Sequence, residues 1–389
     1  MCKLPVHIVH FHNGTGGGVL SMITNLLEYS RNTQVINHVI FTIEIKNQAK
    51  FTIPDLAGAA STKTFYYSGN WNFYYTCGQL AKLLPEGDPI IVAHDWLELG
   101  MISNLGLQHR VVQWLHGDYD YYYSLAIKHA PYIDAFITVS DSIRVKLINR
   151  VAERYQDIHY LRFPVPESNC PGQKPAKFSI IFIGRCTREK GYHLLPAIAA
   201  GLEQAEVKAS WHIVGEQEAS MHELFPWDDN IDVTIHGGLK NEKVRLLLCS
   251  VHLIVLPSIA EGMPISIIEA MKAGVVPIVY DIKGGIQEIV VENETGFKVK
   301  VNEVTGYIDI LKKLIADKSN FEFLQKNCRT MANQLFDPLK NTLAVENVLL
   351  GVAVNPKKRK MPRKVYGSRL DARWLPNWTA RAIRNIWKG

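Results

Sequence analysis

The chain has 389 residues, of which 47% are hydrophobic and 21% are charged, and its formal net charge at pH 7 is +6. This balance is ordinary for a folded globular protein and excludes a disordered or fibrous chain. A chain of this length exceeds what one hydrophobic core usually fills, so two domains are expected.

The six cysteines are scattered along the chain, at Cys2, Cys77, Cys170, Cys186, Cys249 and Cys328. Their spacing predicts neither a disulfide framework nor a zinc site, and it favours a reducing compartment such as the cytosol. No charged leader followed by an apolar run opens the sequence, and the apolar stretches are too short to span a bilayer. We therefore expect a protein that is neither exported through a classical signal nor integral to a membrane.

The first predicted strand, Val6 to Phe11, is followed by a glycine-rich segment, 14–18, and by a helical pattern from Val19 to Tyr29. Such a turn can admit a phosphate or a sugar to the backbone N–H groups at the helix N-terminus. The third glycine stands at position 18 rather than 19, so the segment is not the G-x-G-x-x-G dinucleotide fingerprint. It is a candidate binding loop, with a simple tight turn as the alternative.

Apolar runs at residues 35–43, 90–94, 111–115 and 135–139 alternate with helical patterns. Continuous hydrophobicity is typical of parallel strands buried on both faces, so the first half is predicted to be a doubly wound α/β domain. Its ligands are expected at the carboxyl ends of the strands. His94 ends the run at 90–94, and His116 follows the run at 111–115. Each is a candidate ligand contact or a structural hydrogen-bonding residue.

A linker precedes the second domain, since four prolines lie between residues 164 and 175. A buried strand is then predicted from Phe178 to Ile183, leading into a loop, 184–191, that contains Arg185 and Lys190. Two further strands are predicted at 210–214 and 233–236, with a helix at 241–249. The second half therefore continues the same alternation of strands and helices.

Two glutamates, Glu261 and Glu269, lie eight residues apart near the end of this second half. If residues 265–273 are helical, Glu269 lies about two turns beyond the loop that holds Glu261, and both carboxylates can face one cleft. Gly262 and Pro264 suit an exposed turn that delivers N–H groups to an oxygen-rich ligand such as a phosphorylated sugar.

The C-terminal tail, residues 356–389, contains eleven Lys and Arg residues and a single acid, whereas the rest of the chain has 32 basic and 36 acidic side chains. One predicted helical face of the tail is apolar: Leu375, Trp378, Ala382, Ile383 and Ile386. The opposite face is basic: Arg373, Arg381, Arg384 and Lys388. Such a helix favours a membrane interface, with nucleic-acid binding or packing onto the first domain as alternatives.

The second half resembles the signature of the retaining glycosyltransferases of family 4, which use nucleotide sugars and adopt the GT-B fold. The matching residues are Leu256 to Ser258, Glu261 to Pro264, Glu269 to Met271, Gly274, Pro277, Gly284 and Gly285, and Glu294 to Gly296. The likeness runs over some 120 residues, from Arg185 to Gly296, and covers the first half only in outline. One departure is the loop after Gly215, which lacks the Gly-Asp-Gly run of relatives.

The resemblance implies a role for each candidate residue. The residues expected at the reacting centre are His116, Arg185, Lys190 and Glu261, with the two cations on the diphosphate and His116 and Glu261 on the donor sugar. The remaining donor contacts would be Gly16, Gly17, Gly184, Gly215, Gly262, Met263, Pro264, Ile265 and Glu269, the last on the ribose. The acceptor would contact Gly18 and His94.

No metal site and no cofactor are expected. Asp118 and Asp120 have the D-x-D spacing of metal-dependent GT-A glycosyltransferases, but they follow the first-domain strand that ends at His116, whereas the donor signature lies in the other half. Protein cations would then neutralise the donor diphosphate.

The resemblance implies two Rossmann-like doubly wound domains facing across a cleft, with C-terminal helices that return to the first domain. The expected divisions are an acceptor domain at 1–168, a donor domain at 176–335, crossing helices at 336–355 and the basic tail at 356–389.

The implied function is the transfer of a sugar from a nucleotide diphosphate sugar to an acceptor hydroxyl, in lipid-linked or surface polysaccharide synthesis. The enzyme would act at the cytoplasmic face of an anionic membrane, without nucleic acid. A GT-B-like nucleotide-sugar epimerase and a non-catalytic nucleotide-sugar binding protein are the alternatives.

Overall fold

The computed structural model describes residues 5–15, 17–170, 174–215, 224–355 and 360–387. The chain divides into two compact units: unit 1 comprises residues 1–161 and 339–389, and unit 2 comprises residues 162–338. The linker composition predicts a boundary near residue 168, and the structure divides the chain after Leu161.

Unit 1 is a seven-stranded parallel sheet with strand order β3-β2-β1-β4-β5-β6-β7. Its strands are β1 Val6–His12, β2 Val35–Glu44, β3 Ser61–Tyr67, β4 Ile90–Ala93, β5 Val111–Leu115, β6 Ala135–Thr138 and β7 Ile158–Tyr160. The helices between them are α1 Gly18–Tyr29, α2 Phe73–Ala81, α3 Trp96–Leu105, α4 Asp120–His129 and α5 Asp141–Arg150.

Unit 2 is a six-stranded parallel sheet with strand order β10-β9-β8-β11-β12-β13. Its strands are β8 Ser179–Ile183, β9 Ser210–Val214, β10 Val233–Gly237, β11 Leu253–Leu256, β12 Val276–Tyr280 and β13 Phe297–Val299. The described helices are α6 Leu195–Gln204, α7 Asn241–Leu248, α8 Ile265–Lys272, α9 Ile286–Ile289, α10 Val304–Ala316 and α11 Lys318–Leu335.

The predicted fold class, two Rossmann-like α/β domains, is confirmed. The strands predicted from continuous apolar runs are present, and every residue of the central strands β4 and β5 is buried. Strands β3, β7, β11, β12 and β13 were not predicted. In β3 only Phe65 is buried, so this strand has no continuous apolar run to reveal it.

The prediction of no disulfide is wrong. Cys170 and Cys249 form a disulfide within unit 2, with their Cα atoms 5.0 Å apart. The two cysteines are 79 residues apart in the sequence, so their proximity arises only from the fold and no spacing rule could find it. Three further cysteines, Cys77, Cys186 and Cys328, are buried and free.

The C-terminal part of the chain returns to unit 1. Helix α12, Pro338–Val354, is followed by the described part of the tail, which ends in helix α13, Asn377–Ile386. No helix in the described ranges combines the length and the apolar character that crossing a membrane requires. Residues 356–359 and Lys388, which belong to the predicted basic run and face, lie outside the described residues.

The tail docks on unit 1 through buried polar groups. Asp371 is only 4% exposed and accepts hydrogen bonds from Phe73 N, at 2.6 Å, and from Ser368 N, at 2.6 Å. Arg384 of α13 forms an ion pair with the same carboxylate, at 2.6 Å. Burial opposes ionisation of Asp371, but these hydrogen bonds prevail and hold the pKa of its carboxyl below the usual value.

Two basic residues of the tail form ion pairs on the protein, although the sequence pattern predicts them on free basic surfaces. Arg384, predicted on the free basic face, points inward to Asp371. Lys360, predicted within a polybasic linker, is 3% exposed and forms an ion pair with Asp134 at 3.0 Å. Arg384 pairs with Asp371 of the tail, and Lys360 pairs with Asp134 of unit 1. Helical periodicity cannot predict either partner.

We expect Asp371→Ala to release the tail, because it leaves the Arg384 guanidinium, only 17% exposed, without its counter-ion. Breaking a buried ion pair costs roughly 3 kcal/mol. Hydrogen exchange or limited proteolysis should show faster opening of residues 369–387. Asp120→Ala is the control, since it removes an exposed ion pair with Arg150. Equal protection of the tail in both variants would contradict the anchoring role of Asp371.

Candidate active site

The phosphate-binding candidates of unit 2 follow strand β8. Gly184 comes directly after the strand, and its N–H donates to Val214 O at 3.0 Å. Gly215, directly after β9, has a φ of +147°, and a Cβ there would lie 1.8 Å from Gly184 O. Only glycine therefore allows the two loops to lie side by side. The next residues of the β9 loop, 216–223, lie outside the described residues.

The loop after β8 is tied to the loop after β11. Glu189 O accepts hydrogen bonds from Ile259 N, at 3.0 Å, and from Ser258 Oγ, at 3.3 Å. Beside this junction Lys190 Nζ lies 2.8 Å from Glu261 Oε1, and the two side chains are only 17% and 9% exposed. The structure thus brings together two of the predicted residues that are 71 positions apart in the sequence.

Two cations at this edge remain available to an anion. The Lys190 ammonium has three N–H groups, of which the bond to Glu261 uses one. Arg185 is exposed, and within the described ranges it pairs with no carboxylate. The loop therefore presents positive charge to a phosphorylated ligand.

Helix α8 starts immediately after the Glu261 loop. Gly285 N donates to Gly262 O at 2.9 Å, and a Cβ on Gly285 would lie 2.2 Å from that oxygen, so this contact requires glycine. Pro264 precedes α8 and makes no side-chain cap. In the first turn Ile267 N and Ile268 N donate to Pro264 O, so the N–H groups of Ile265 and Ser266 are the ones that can bind the oxygens of a ligand.

Glu269 lies within α8 and is only 8% exposed. Burial raises the pKa of its carboxyl from 4.5 to about 7, while the nearby positive charge of Arg245 on α7 opposes the rise. Arg245 was missed, because no motif spacing connects α7 to the glutamates. It belongs to the site through its effect on the charge of Glu269.

Four histidines gather at the carboxyl edge of the unit 1 sheet. His94 follows β4 and His116 follows β5, and His94 Nδ1 lies 2.7 Å from His116 Nε2. His10 and His12 belong to β1, and His10 Nδ1 lies 3.5 Å from His94 Nε2. The last two were missed, although polar residues at alternate positions of an apolar strand are a usable signal.

Burial keeps these imidazoles neutral at pH 7. It lowers the pKa of His10 and of His12 to about 4 and that of His116 to about 3, and it lowers the pKa of His94 well below its usual value. Between neutral rings one nitrogen must donate and the other accept. The short contact with His94 therefore orients the His116 ring and couples the tautomers of the two rings, since only one of the two facing nitrogens can carry the proton.

The glycine segment adjoins the same edge of unit 1. Gly17 precedes α1 with a φ of +127°, and Gly18 is the first residue of that helix; both are exposed. Helix α1 has no side-chain cap. Asn13 Nδ2 donates to Asp95 Oδ2 at 3.0 Å, which ties the segment to the start of α3. Gly16, a predicted donor contact, lies outside the described residues.

The carboxylates of Asp118 and Asp120 pair with neighbouring side chains of unit 1. Asp118 accepts a hydrogen bond from Tyr123 Oη at 2.7 Å and pairs with Lys146. Asp120 lies 3.0 Å from Arg150. In the described part of the chain no group of three or more His, Cys, Asp or Glu residues is arranged to hold a metal ion.

Comparison with known proteins places unit 2 in a family. Residues 169–333 match the family described as glycosyl transferases, group 1. Unit 2 is a group 1 glycosyltransferase domain. The resemblance to family 4 glycosyltransferases of the GT-B fold is thereby confirmed.

Two relatives of the chain are named as galactosyltransferases of Escherichia coli. The chain is 26% identical to the lipopolysaccharide 1,6-galactosyltransferase of Escherichia coli K12, over 62% of this chain and 70% of that protein. It is 32% identical to the UDP-Gal:alpha-D-GlcNAc-diphosphoundecaprenol alpha-1,3-galactosyltransferase of Escherichia coli, over 30% of each chain. Only about a third of this second relative is therefore matched.

The fold likeness extends beyond the glycosyltransferase domain. The crystal structure of Anabaena HepE in complex with UDP and glucose matches with a TM-score of 0.71 at 16% identity, covering 89% of this chain and all of that one. At this identity the match shows the shared fold.

We expect the stability of unit 2 to depend on pH through Glu269. Its folded pKa of about 7 exceeds the unfolded value of 4.5, so its contribution is complete below pH 4.5 and is lost as the pH rises through 7. The loss amounts to about 3 kcal/mol. Glu269→Gln should raise the melting temperature at pH 8 relative to wild type and change it little at pH 4.5.

Arg245→Gln is the matched comparison. Removing the positive charge should move the pKa of Glu269 further upward, so the fall in stability should extend to higher pH. A Glu269→Gln effect of equal size at pH 4.5 and pH 8 would contradict the raised pKa.

Proposed function

We propose that the protein is a retaining, metal-independent glycosyltransferase that moves a hexosyl or related sugar from a nucleotide diphosphate sugar to an acceptor hydroxyl. The observation that carries this proposal is the Lys190–Glu261 ion pair, which adjoins the uncapped start of α8 inside a group 1 glycosyltransferase domain. This arrangement offers a cation to a diphosphate and a carboxylate to sugar hydroxyls.

The proposed chemistry assigns the leaving-group charge to Arg185 and Lys190. As the bond from the sugar to the diphosphate breaks, the electron pair stays on the phosphate oxygen, and fixed cations stabilise that charge without reorganising. The acceptor oxygen bonds to the anomeric carbon, and its proton passes to the departing phosphate. Arg185 and Lys190 take the place that a metal ion holds in other glycosyltransferases.

Glu269 is proposed to bind the ribose hydroxyls and Glu261 the donor sugar. In unit 1, His116 would contact the donor sugar, with Gly17 beside it, and Gly18 and His94 the acceptor. A uridine nucleotide is the first donor to test, because one relative is named for UDP-Gal and the HepE structure holds UDP.

The acceptor is proposed to be a lipid-linked or surface polysaccharide intermediate. The lipopolysaccharide and diphosphoundecaprenol relatives support this class of acceptor. A nucleotide-sugar epimerase would change the nucleotide sugar without any acceptor. A non-catalytic protein would bind the nucleotide without turnover.

We further propose that the tail holds the enzyme at the cytoplasmic face of an anionic membrane. The docked tail exposes a run of apolar side chains at four-residue spacing: Trp374, Trp378, Ala382 and Ile386. Trp374 is 80% exposed and Trp378 is 72% exposed. Arg373 and Arg381 are also exposed, and this combination of apolar and basic side chains is typical of a segment that lies in a membrane interface.

We expect the purified protein to release nucleoside diphosphate from a nucleotide sugar only when a glycolipid acceptor is present. Glu269→Ala should weaken nucleotide binding roughly tenfold to a hundredfold, because the hydrogen-bonding partner proposed for the ribose hydroxyls is lost. Arg185→Ala should lower kcat by a factor on the order of 100 with a smaller change in nucleotide affinity. Calorimetry and product analysis measure the two effects.

The controls are Arg188→Ala and Glu322→Ala. Arg188 belongs to the same loop as Arg185 and stacks on Phe225, and Glu322 is an exposed residue of α11. Equal losses of binding and turnover in both site variants would refute the division of roles. A new nucleotide sugar formed without an acceptor would identify an epimerase, and binding without any product would identify a non-catalytic protein.

We expect replacement of Trp374 and Trp378 by Ser to reduce binding to anionic vesicles at least tenfold in a sedimentation assay, because the apolar contact with the bilayer is lost. Point variants are preferable to truncation, since the tail is anchored through Asp371. The control pair is Leu246→Ser and Phe323→Ser, two exposed apolar residues of unit 2. Unchanged binding in the tryptophan variant would refute attachment by the tail.

A further inference from the structure

The docked tail builds a hollow on unit 1 against helix α2. The hollow has a volume of about 340 Å³, and it is lined by Tyr74, Tyr75 and Gly78 of α2 and by Lys82, which directly follows the helix. The tail contributes Arg373 and Trp374. A second hollow, of about 280 Å³, shares Tyr74 and Arg373 and is also lined by Arg363 and Lys364.

The hollow owes its shape to Asn72, the residue before α2. Asn72 is 1% exposed, and its side-chain amide donates to Ala372 O at 3.0 Å and to Leu375 O at 2.9 Å. Its backbone N–H donates to Asn377 Oδ1 at 2.8 Å. These bonds hold the tail segment between Ala372 and Asn377 against α2. Arg373 consequently lies over the Tyr74 ring, 5.6 Å from its centroid.

The charge of the hollow is uncompensated. Lys82 and Arg373 are both exposed, and in the described ranges neither pairs with a carboxylate. Asp371, which lines the second hollow, is already neutralised by Arg384. Two free cations among tyrosine rings favour an anion that also presents apolar surface.

We propose that this hollow binds the phosphate headgroup of an anionic phospholipid. The inference rests on the membrane attachment proposed above and adds a defined headgroup site to it. Trp374 lines the hollow and belongs to the exposed apolar run, so insertion of that run brings the hollow to headgroup depth. Arg373 offers a planar fork and Lys82 a point charge to the phosphate, and the tyrosine hydroxyls supply neutral donors.

Gly78 allows the hollow to be filled without any change of charge. A Cβ on Gly78 would meet no heavy atom within 4 Å, so a large side chain there can be accommodated. Gly78 lies inside α2, where other residues are better helix formers than glycine. Gly78→Trp should block the hollow, and Gly78→Ala is the matched control that leaves most of it open.

The experiment is vesicle sedimentation of the full chain at low salt, with pure phosphatidylcholine or with one fifth phosphatidylglycerol. We expect wild type and Gly78→Ala to bind the anionic vesicles at least tenfold more tightly than the neutral ones. Gly78→Trp and the double variant Lys82→Gln/Arg373→Gln should lose most of that preference. Circular dichroism and nucleotide binding should be unchanged in all four proteins.

The outcomes separate this proposal from the one on which it rests. If Gly78→Trp keeps the anionic preference while the tryptophan variant loses vesicle binding, the tail attaches to membranes through general electrostatics and the headgroup site is refuted. If wild type binds neither type of vesicle, attachment itself is refuted. If Gly78→Ala loses the anionic preference as fully as Gly78→Trp, the loss does not come from filling the hollow, and the proposal is also overturned.

Discussion

The strands of a parallel sheet are covered on both faces by helices, so polar functional side chains mostly lie at the edge where each strand ends and its loop begins. The two sheets of this protein follow that constraint. In unit 2, Arg185 lies just beyond β8 and Glu261 beyond β11. In unit 1, His94 and His116 lie just beyond β4 and β5. Most side chains inside the sheets are apolar, and the candidate residues accumulate at the two carboxyl edges.

Burial at these edges determines the charge of each group. The carboxylate of Glu261 stays close to a cation, because Lys190 lies 2.8 Å away. Glu269 has only the more distant influence of Arg245, and its pKa rises to about 7. The histidines of unit 1 have one another as neighbours, and neutral rings avoid mutual repulsion. Because this pKa lies close to neutral pH, little free energy is needed to protonate or deprotonate Glu269. A charged ligand can therefore change the protonation of Glu269 when it binds, which suits a site that exchanges charged nucleotides.

Patterns within one segment predict most of the fold. The apolar runs locate most strands of unit 1 and the first three strands of unit 2, and the helix on which the interpretation of Glu261 and Glu269 depends is present at Ile265–Lys272. Features that depend on distant segments could not be predicted. The Cys170–Cys249 disulfide, the pairing of Lys190 with Glu261 and the influence of Arg245 on Glu269 each join residues that only the fold brings together. Edge strands such as β3 were missed because half of their side chains face water.

The tail shows why amphipathic periodicity does not decide which face of a helix packs inward. The sequence pattern predicts Arg384 on the same basic face as the other arginines of the tail. In the structure Arg384 instead points towards unit 1, where it forms an ion pair with Asp371. Polar contacts thus anchor the tail, and its large apolar side chains are left outside, with Trp378 72% exposed and Ile386 76% exposed. Leaving such side chains in water forgoes about 2 kcal/mol each. A continuous exposed run of this kind marks an interaction surface, because folding alone would favour burying it.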